Sequence, residues 1–593
     1  MTDSTQGTSS NTFMGLNPTF DLYLTITPGE LPHGEGEIRP LVVTPHHVPH
    51  QVETTQTHYL WCGDPYIDSA PLSEQIPSIE AGKIDLKQLR GEFFVIVVDK
   101  LLCEVHLYND KFSTIPVYYH ADYRQLNIAT RLPEALSVAP FAPQGIFDYF
   151  YFHMIPAEQT LFEDVKKLPA ATQLTYQGNT GAVTSRPYWV PDFQKAQRPS
   201  TQSDLANELK RALKASVKQR ILGKTGAFLS GGLDSSTVAG MLAEIQPGSD
   251  VFSIGFDAEG YDEIEYARIT AEHFGLKLHE YYVTPEDIVK ALPEIIPFFD
   301  EPFGNSSALP AYFCTRMAKS WGMDTLLAGD GGDELFAGNE RYAKQKVFSH
   351  YESLPKALRQ SVLEPFSEAR MPTAILRKVQ SYIRQAAVPL PRRLQTYNFL
   401  EREPLQNIFE ADFLRQVDPN AAHLRLDHIY HRPEHGSDLD RMMYLDWQIT
   451  LADNDLVKVN NMSHINDIHV RYPMLDDDLV ELSTQVPDQL KLKGQNLRHF
   501  YKEALTGWLP NATINKSKHG FGLPFGVWLK DYAPLTQMAY DALSRLKKRH
   551  IVQASYIDHI IHEHKFGHSA YYGEMIWLMM TLELWLDAHN GSK

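Results

Sequence analysis

Cysteine is scarce in this chain of 593 residues, which contains only three. Cys62, Cys103 and Cys314 stand far apart, without the paired spacings that bind zinc or build a compact disulfide framework. We therefore expect neither a zinc cluster nor structural disulfides. Reduced cysteines are typical of cytoplasmic proteins, and the cytoplasm is the location that the sequence predicts.

Positive charge is also in short supply. The chain has 55 Lys and Arg residues against 73 Asp and Glu residues, and its formal net charge is −18 at pH 7. Proteins that bind a nucleic-acid backbone neutralise its phosphates with clustered Lys and Arg. The charge balance therefore argues against nucleic acid as the main partner.

Long hydrophobic segments are missing as well. The polar first ten residues lack the basic start and apolar centre of a signal peptide. The most apolar late run, 575–586, contains Glu583 and is too short to cross a bilayer. This run predicts a buried or amphipathic helix, and no membrane partner is expected.

The remaining patterns divide the chain into three predicted regions. Residues 1–18 are rich in Ser, Thr, Asn and Gly, and we expect them to be disordered. Residues 19–195 show short strand patterns separated by turn signals, and a polar linker follows at 194–203. Residues 196–593 form the second predicted domain.

The second domain has the pattern of an α/β protein. Apolar strand patterns at 227–229, 251–254 and 325–327 alternate with helical patterns. Such alternation predicts a doubly wound parallel sheet with helices on both faces. From about residue 345 the pattern becomes largely helical.

The most informative segment is Ser-Gly-Gly-Leu-Asp-Ser-Ser at 230–236, directly after the first of these strands. Glycines let the backbone approach an anion, and the free N–H groups of a following helix face it, so the segment predicts a phosphate cradle. It lacks the lysine of the G-x-x-x-x-G-K-[ST] loop. Asp234 would repel phosphate unless a cation lay between them, which predicts a Mg²⁺ ligand.

Two further strand ends are expected to join the same site, because ligands of open parallel sheets lie beyond the carboxyl ends of the strands. Ser253, Ile254 and Gly255 end the second strand and are placed to flank adenine and ribose. The third strand leads into Gly-Asp-Gly-Gly-Asp-Glu at 329–334, where Asp333 is placed to share a metal with Asp234. The alternative for this acidic turn is a solvated loop.

A lysine in a braced loop is the last candidate. Lys518 stands among glycines in Lys-His-Gly-Phe-Gly, with a proline shortly after. A fixed cation there would neutralise charge on the α-phosphate and on a developing adenylate. A lone loop lysine is usually only solvated, so the hypothesis depends on the other segments.

Together these segments resemble the synthetase domain of the asparagine synthetase family of ATP pyrophosphatases, from about residue 200 to near the C-terminus. Matches at 456–460 and 470–476, assigned to the family's helical stretch, extend the resemblance. It implies ATP and Mg²⁺ as cofactors, Asp234 and Asp333 as metal ligands, and Lys518 and Asp330 as catalytic residues. It implies ATP or pyrophosphate contacts from Ser230, Gly231, Gly232, Leu233, Asp234, Ser235, Ser236, Ser253, Ile254, Gly255 and Gly329.

Two positions depart from the family pattern. Asn460 stands where the family usually has Asp, and His469 stands where it usually has Glu. The loss of two carboxylates changes either the charge around the acceptor pocket or the core beneath it, and the sequence leaves both alternatives open.

Segments of the first domain at 91–99, 109–119 and 151–156 are similar to the glutaminase domain of the same family, which implies an α+β, Ntn-hydrolase-like sandwich of two antiparallel sheets. A working glutaminase of this type uses an N-terminal cysteine whose own amine serves as base. Here position 2 is Thr2, and Arg131 replaces a Glu typical of the fold. We therefore expect the glutaminase domain to be inactive.

The resemblance implies a synthetase that adenylates a carboxylate and joins it to an amine without glutamine hydrolysis. The leading hypothesis is macrolactam closure of the lasso-peptide cyclase type, with β-lactam synthetases as related members. Its partners would be a small-molecule or peptide carboxylate, and in the peptide case a precursor peptide with a leader-binding protein and a protease. Alternatives are an asparagine synthetase using ammonia or glutamine, a tRNA-modifying enzyme and a non-catalytic ATP-binding scaffold.

Overall fold

The computed structural model describes residues 22–28, 41–132, 140–193, 201–258, 260–348, 351, 354–359, 374–516 and 522–590. The predicted tail at 1–18, the part of the linker at 194–200 and Lys518 lie outside the described residues.

The N-terminal domain is built on two antiparallel sheets. One has the strand order β11-β9-β10-β1-β2 and the other β13-β12-β8-β7-β4-β3, and β5 pairs with β6 in a short hairpin. The strands are β1 (Tyr23–Pro28), β2 (Leu41–His47), β3 (His50–Glu53), β4 (Thr57–Gly63), β5 (Tyr66–Ile67), β6 (Ala70–Pro71), β7 (Phe93–Asp99), β8 (Glu104–Asn109), β9 (Tyr118–Ala121), β10 (Leu126–Ala129), β11 (Lys166–Lys167), β12 (Thr172–Gln177) and β13 (Ala182–Pro187).

The two sheets pack face to face because their side chains alternate. In β7, Phe94 and Ile96 point into the core between the sheets, where they meet Leu24 and Ile128 of the other sheet. The intervening Val95 belongs to a second core on the outer face of β7, against the helix Leu72–Glu80. A period of two with both faces apolar is what a strand buried on both sides requires.

The second domain contains a parallel sheet with the order β16-β15-β14-β17-β18. Its strands are β14 (Thr225–Phe228), β15 (Asp250–Phe256), β16 (Lys277–Val283), β17 (Thr325–Leu327) and β18 (His469–Arg471). The first helices around it are Gln202–Gln219, Leu233–Ile245, Ile264–Phe274, Pro285–Phe298 and Ala308–Ser320. The three predicted strands are confirmed, and the outer strands β16 and β18 were not anticipated.

The rest of the chain is largely helical, as predicted. Its longer helices are Glu340–Lys346, Ala374–Ala387, Ala421–Tyr430, Asp438–Asp446, Leu456–His464, Asp477–Gln485, His499–Leu505, Phe525–Asp531, Ala533–Leu546, Ala554–Phe566 and Ser569–Asn590. The π-helix Trp447–Asp455 joins the helices Asp438–Asp446 and Leu456–His464 into one continuous helical segment. These elements confirm the predicted fold class of a sandwich followed by an α/β domain with a helical C-terminal part.

Two segments refine the expectations. The stretch at 470–476 is not helical throughout, because β18 pairs in parallel with β17 from His469 to Arg471. The apolar run at 575–586 lies in the buried helix Ser569–Asn590, where Glu583 is paired with Arg549. Within the described ranges, no helix is long and apolar enough to cross a membrane.

A buried ionic network fastens the N-terminal domain to the synthetase domain. Glu92, at the start of β7, accepts a hydrogen bond from Arg220 Nε at 2.9 Å and lies 3.5 Å from Arg471. Arg220 also donates to Asp476 at 2.9 Å. Because each charge has a partner of opposite sign, the desolvation cost of burying it is offset.

A second buried pair fastens the opposite side of the interface. Lys167 Nζ lies 2.7 Å from Glu301, whose other oxygen accepts a hydrogen bond from the backbone N–H of Leu161 at 2.7 Å. Three residues on, the backbone N–H of Gly304 donates to the carbonyl of His153 at 2.8 Å. The N-terminal domain therefore holds the segment 301–304 of the synthetase domain.

The substitution Arg220→Met tests the first network. It leaves Glu92 and Asp476 buried without this cation, which should lower the free energy of unfolding by about 3–5 kcal/mol. The matched control is Arg211→Met in the helix Gln202–Gln219, which Arg220 directly follows, because the Arg211 side chain is 80% exposed. Urea denaturation measures both, and equal stability of the two variants would contradict a stabilising role for the network.

Candidate active site

A cleft of about 750 Å³ opens at the carboxyl ends of β14, β15 and β17. The loop after each strand contributes to its wall, as expected for ligand sites of open parallel sheets. The cleft is lined by Ser230, Gly232, Leu233, Asp234 and Ser235 after β14, by Ser253 and Ile254 within β15, and by Gly329, Asp330 and Asp333 after β17. The structure thus brings ten of the predicted site residues together.

The first loop is held open by its own hydroxyl groups. Ser230 Oγ and Ser235 Oγ lie 3.0 Å apart, and Ser230 Oγ also accepts a hydrogen bond from the N–H of Gly232 at 3.3 Å. The helix Leu233–Ile245 begins directly afterwards, with Gly232 as its N-cap. Its free N–H groups and partial positive charge face the cleft, which suits an anionic ligand.

Three predicted contacts lie behind this surface instead of in it. Gly231 has φ +69°, and a side chain there would stand 2.6 Å from the backbone nitrogen of Ala267. Ser236 is fully buried and its hydroxyl lies 3.1 Å from that of Thr270. A side chain at Gly255 would collide with the ring of Tyr282. We assign these three residues to the shape of the loops, and direct contact with nucleotide stays a prediction.

Ser253 offers an unused hydrogen-bonding group. Its residue is only 2% exposed, and its hydroxyl has no hydrogen-bond partner among the described residues. A buried hydroxyl without a partner costs free energy, so such groups are commonly satisfied by a ligand or by water. Ser253 lies within β15 and lines the cleft, which is compatible with the predicted contact to a nucleotide.

The two predicted metal ligands lie together. Arg498 donates to Asp234 Oδ1 at 2.5 Å with one terminal nitrogen and pairs with Asp333 through the other. A side chain at Gly332 would collide with the Asp234 carboxylate, and one at Gly338 would collide with that of Asp333. Because these glycines have no side chain, the carboxylates of Asp234 and Asp333 can both approach the guanidinium group of Arg498.

This pair suits a magnesium ion. Mg²⁺ prefers oxygen ligands and is commonly held by one or two carboxylates together with substrate phosphates. Asp234 and Asp333 would hold it beside the phosphate cradle, where it would neutralise phosphate charge. The arrangement of donors fits the prediction, although it does not test it.

Lys458 and Asp455 form an ion pair that lines the cleft together with Asp330. Lys458 Nζ lies 2.9 Å from Asp455, at the end of the π-helix. Burial raises the pKa of the Asp330 carboxyl to about 6, and the nearby Lys458 ammonium opposes the shift. The pKa of Lys458 is itself raised, because Asp455 and Asp330 outweigh the opposing effect of burial. Asp330 is therefore placed to exchange a proton near neutral pH.

The sequence motifs missed most of the cations in the cleft. Arg498, Lys458, Lys502 and Lys516 all line it. Arg498 stands alone in sequence, 264 residues from Asp234, so no local pattern marks it. Lys516 precedes the predicted Lys518 by two residues, pairs with Glu263 at 2.8 Å and lies 4.7 Å from the ring centroid of Tyr266. The role of Lys518 itself stays a prediction.

The two departures from the family pattern lie at the domain interface. Asn460 donates to the carbonyl of Thr114 at 2.8 Å and accepts from the hydroxyl of Tyr472 at 2.6 Å. Asn460 and His469 line a cavity of about 80 Å³ between the domains, together with Arg131. Burial lowers the pKa of His469. Neither residue lines the 750 Å³ cleft, which favours the core beneath it over the acceptor pocket.

The substitution Asp333→Asn tests the metal site by binding. We expect it to weaken binding of ATP in the presence of Mg²⁺ by at least about 10-fold, because a charged oxygen ligand is lost. Isothermal titration calorimetry measures the affinity with Mg²⁺ and with EDTA, and the difference between variants should disappear with EDTA. Asp412→Asn is the matched control, since the Asp412 side chain is 82% exposed. Equal affinities with Mg²⁺ would contradict the assignment.

Comparison with known proteins confirms the family resemblance of both domains. Residues 208–587 match the family model described as asparagine synthase, and residues 77–189 match the glutamine amidotransferase domain. The chain is 26% identical over 504 residues to glutamine-hydrolyzing asparagine synthetase 1 of Bacillus subtilis (strain 168), covering 84% of this chain and 77% of that protein.

Two further relatives are named as an asparagine synthetase and as an amidase. A protein of Mycobacterium tuberculosis (strain ATCC 25618 / H37Rv), also named as an asparagine synthetase, is 26% identical over 526 residues, 84% of this chain and 77% of its own length. Amidase chry2 of Gibberella zeae is 22% identical over 490 residues, 75% of this chain and 71% of its own. The family uses ATP to form amide bonds. The residues that line the cleft lie within the matched segment 208–587. The chain belongs to the asparagine synthase family of carbon–nitrogen ligases.

Proposed function

We propose that the protein is an AMP- and pyrophosphate-forming ligase that joins a carboxylate to an amine without hydrolysing glutamine. The observation that carries this proposal is the burial of every cysteine. Cys62 is 0% exposed in β4, Cys103 is 1% exposed before β8, and Cys314 is 4% exposed in the helix Ala308–Ser320. A cysteine nucleophile must be accessible to glutamine and must ionise.

The environment of Cys314 adds to this argument. Burial raises the pKa of its thiol, which disfavours the reactive thiolate. Its sulfur is occupied by a weak hydrogen bond, 3.6 Å from the carbonyl of Phe252 in the synthetase domain. This cysteine therefore has a structural environment and lies outside the domain that would hydrolyse glutamine.

Arg131 supports the same conclusion from inside the N-terminal domain. Its guanidinium donates to Asn461 at 2.5 Å and to the carbonyl of Phe298 at 2.7 Å, and it lies 3.6 Å from Asp300. All three partners belong to the synthetase domain. A residue engaged in this way holds two domains together and is not available to bind glutamine.

The proposed reaction has two steps at the cleft. A substrate carboxylate attacks the α-phosphorus of ATP, forming an acyl-adenylate and releasing pyrophosphate into the cradle at 230–236. An amine then attacks the acyl carbon, loses a proton and displaces AMP. We propose that Asp330, whose carboxyl is influenced by the Lys458 ammonium, accepts that proton, and that the bound substrates keep water away from the adenylate.

The amine then comes either from free ammonia or from the substrate itself. We favour the second source, in which one peptide supplies both groups and closes into a macrolactam, as a lasso-peptide cyclase does. The partners would be a precursor peptide, a leader-binding protein and a protease. The missing glutaminase nucleophile supports this choice, because an enzyme that uses an internal amine needs no ammonia supply.

An asparagine synthetase that amidates aspartate is the second candidate. The names of the two bacterial relatives favour it, at 26% identity over most of both chains. It shares the adenylate step with the first candidate and differs in the carboxylate and the amine.

The protonation of Asp330 should appear in the pH profile. With a pKa of about 6, the carboxyl is protonated below that pH and cannot accept a proton. We expect kcat/KM to fall about tenfold per pH unit below pH 6. Asp330→Asn should lower the rate and remove this limb, while the exposed control Asp412→Asn should keep it. An unchanged limb in Asp330→Asn would assign the titration to another group.

Release of AMP and pyrophosphate with different substrates separates the candidates. The panel is aspartate with ammonia, aspartate with glutamine, and a peptide carrying a free N-terminal amine and an internal acidic side chain. Turnover of the peptide to a product lighter by one water, lost in Asp234→Ala, is the expected result. Turnover of aspartate and ammonia alone would establish the second candidate. Glutamine-dependent turnover would contradict the inactive glutaminase.

A further inference from the structure

A second cavity, of about 300 Å³, lies where the N-terminal domain meets the helical part of the synthetase domain. Its wall is mainly aromatic and includes Phe152, His153, Tyr397, Phe399 and Tyr571. Aromatic walls of this size are typical of pockets that enclose one apolar group with a few polar contacts.

The described residues of the lining offer no cation to an anionic ligand. None of them is Lys or Arg, and Glu574 is the one carboxylate among them. Burial lowers the pKa of His153 to about 4, so its imidazole is neutral at physiological pH. A phosphate or carboxylate placed here would be desolvated without a partner, which excludes a second nucleotide site.

Hydrogen bonds hold the wall of this cavity in place. The side chain of Asn398 donates to the carbonyl of Tyr151 at 2.8 Å and accepts from the backbone of Leu400 at 3.0 Å. The Tyr151 hydroxyl donates to Glu401 at 3.3 Å, and Glu401 in turn lies 2.9 Å from His423. Because these bonds fix the wall, little conformational entropy is lost when a ligand enters.

One short segment separates this cavity from the nucleotide cleft. Gly304 donates to the carbonyl of His153, and a side chain on Gly304 would collide with Leu578, which lines the cavity. Ser307 lines the cleft. Three residues span at most roughly 11 Å of extended chain. The cavity and the cleft therefore border the two ends of one short segment, a separation that a few extended residues of a bound peptide match.

We propose that the second cavity binds an uncharged aromatic side chain of the peptide substrate and so selects which peptides are joined. The inference rests on the proposed function in that the substrate is a peptide. The aromatic side chains of the wall supply stacking and apolar burial, and Gln395 offers an amide to the peptide backbone. The cavity then determines specificity, while the cleft performs the chemistry.

Direct binding of N-acetyl-L-tryptophanamide tests the proposal without turnover. The full chain is titrated with this probe and with N-acetyl-L-glutamate, and binding is followed by saturation-transfer NMR. Gln395→Trp fills the cavity and should weaken binding of the tryptophan probe by about 10-fold or more. Tyr123→Ala is the control, because Tyr123 is 64% exposed in the N-terminal domain and does not line the cavity.

Three measurements make the result decisive. ATP binding should be equal in all variants, which shows that each is folded. Selective binding of the tryptophan probe by the unaltered protein and by Tyr123→Ala, with loss in Gln395→Trp, supports the proposal. Absence of probe binding, or equal binding in Gln395→Trp, overturns it even if peptides are turned over. Turnover of aspartate alone would overturn the peptide substrate separately.

Discussion

The structure depends on one buried carboxylate, Glu92, which the N-terminal domain inserts between two guanidinium groups of the synthetase domain. It pairs with Arg220 and Arg471, and it lies 3.4 Å from the backbone nitrogen of Tyr472. Three residues after Tyr472, Leu475 packs against Gly331 in the loop that contains Asp330 and Asp333. The contacts of Glu92 thus continue into the cleft. The N-terminal domain therefore helps to hold this loop in place.

The loops that carry Asp234 and Asp333 could be predicted because a short run of consecutive residues specifies the structure of each. A buried strand, a glycine turn and a helix start occupy about ten consecutive residues around Asp234, and the same pattern recurs before Asp333. Parallel pairing of β14 with β15 and β17 then brings the turns to one edge. The edge strand β18 escaped prediction because three residues, His469–Arg471, show no periodicity, and their pairing partner lies far away in sequence.

The cations escaped prediction for the same reason. Arg498 reaches Asp234 and Asp333 only after the helical part has folded over the cleft, and no spacing in the sequence marks that contact. Lys458 follows a nine-residue π-helix, whose wider turn changes which side chains face the cleft. Sequence patterns identified the glycines and carboxylates, whereas tertiary packing supplied the positive charges.

The departure at Asn460 has a physical explanation in the interface. Its amide nitrogen donates to the carbonyl of Thr114, while its oxygen accepts from Tyr472. An aspartate carboxylate could accept from Tyr472, but it would set an acceptor against the Thr114 carbonyl, and a buried acceptor pair is unfavourable. Arg131 contacts the neighbouring Asn461. The change to Asn460 therefore exchanges a charge for a hydrogen bond between the two domains.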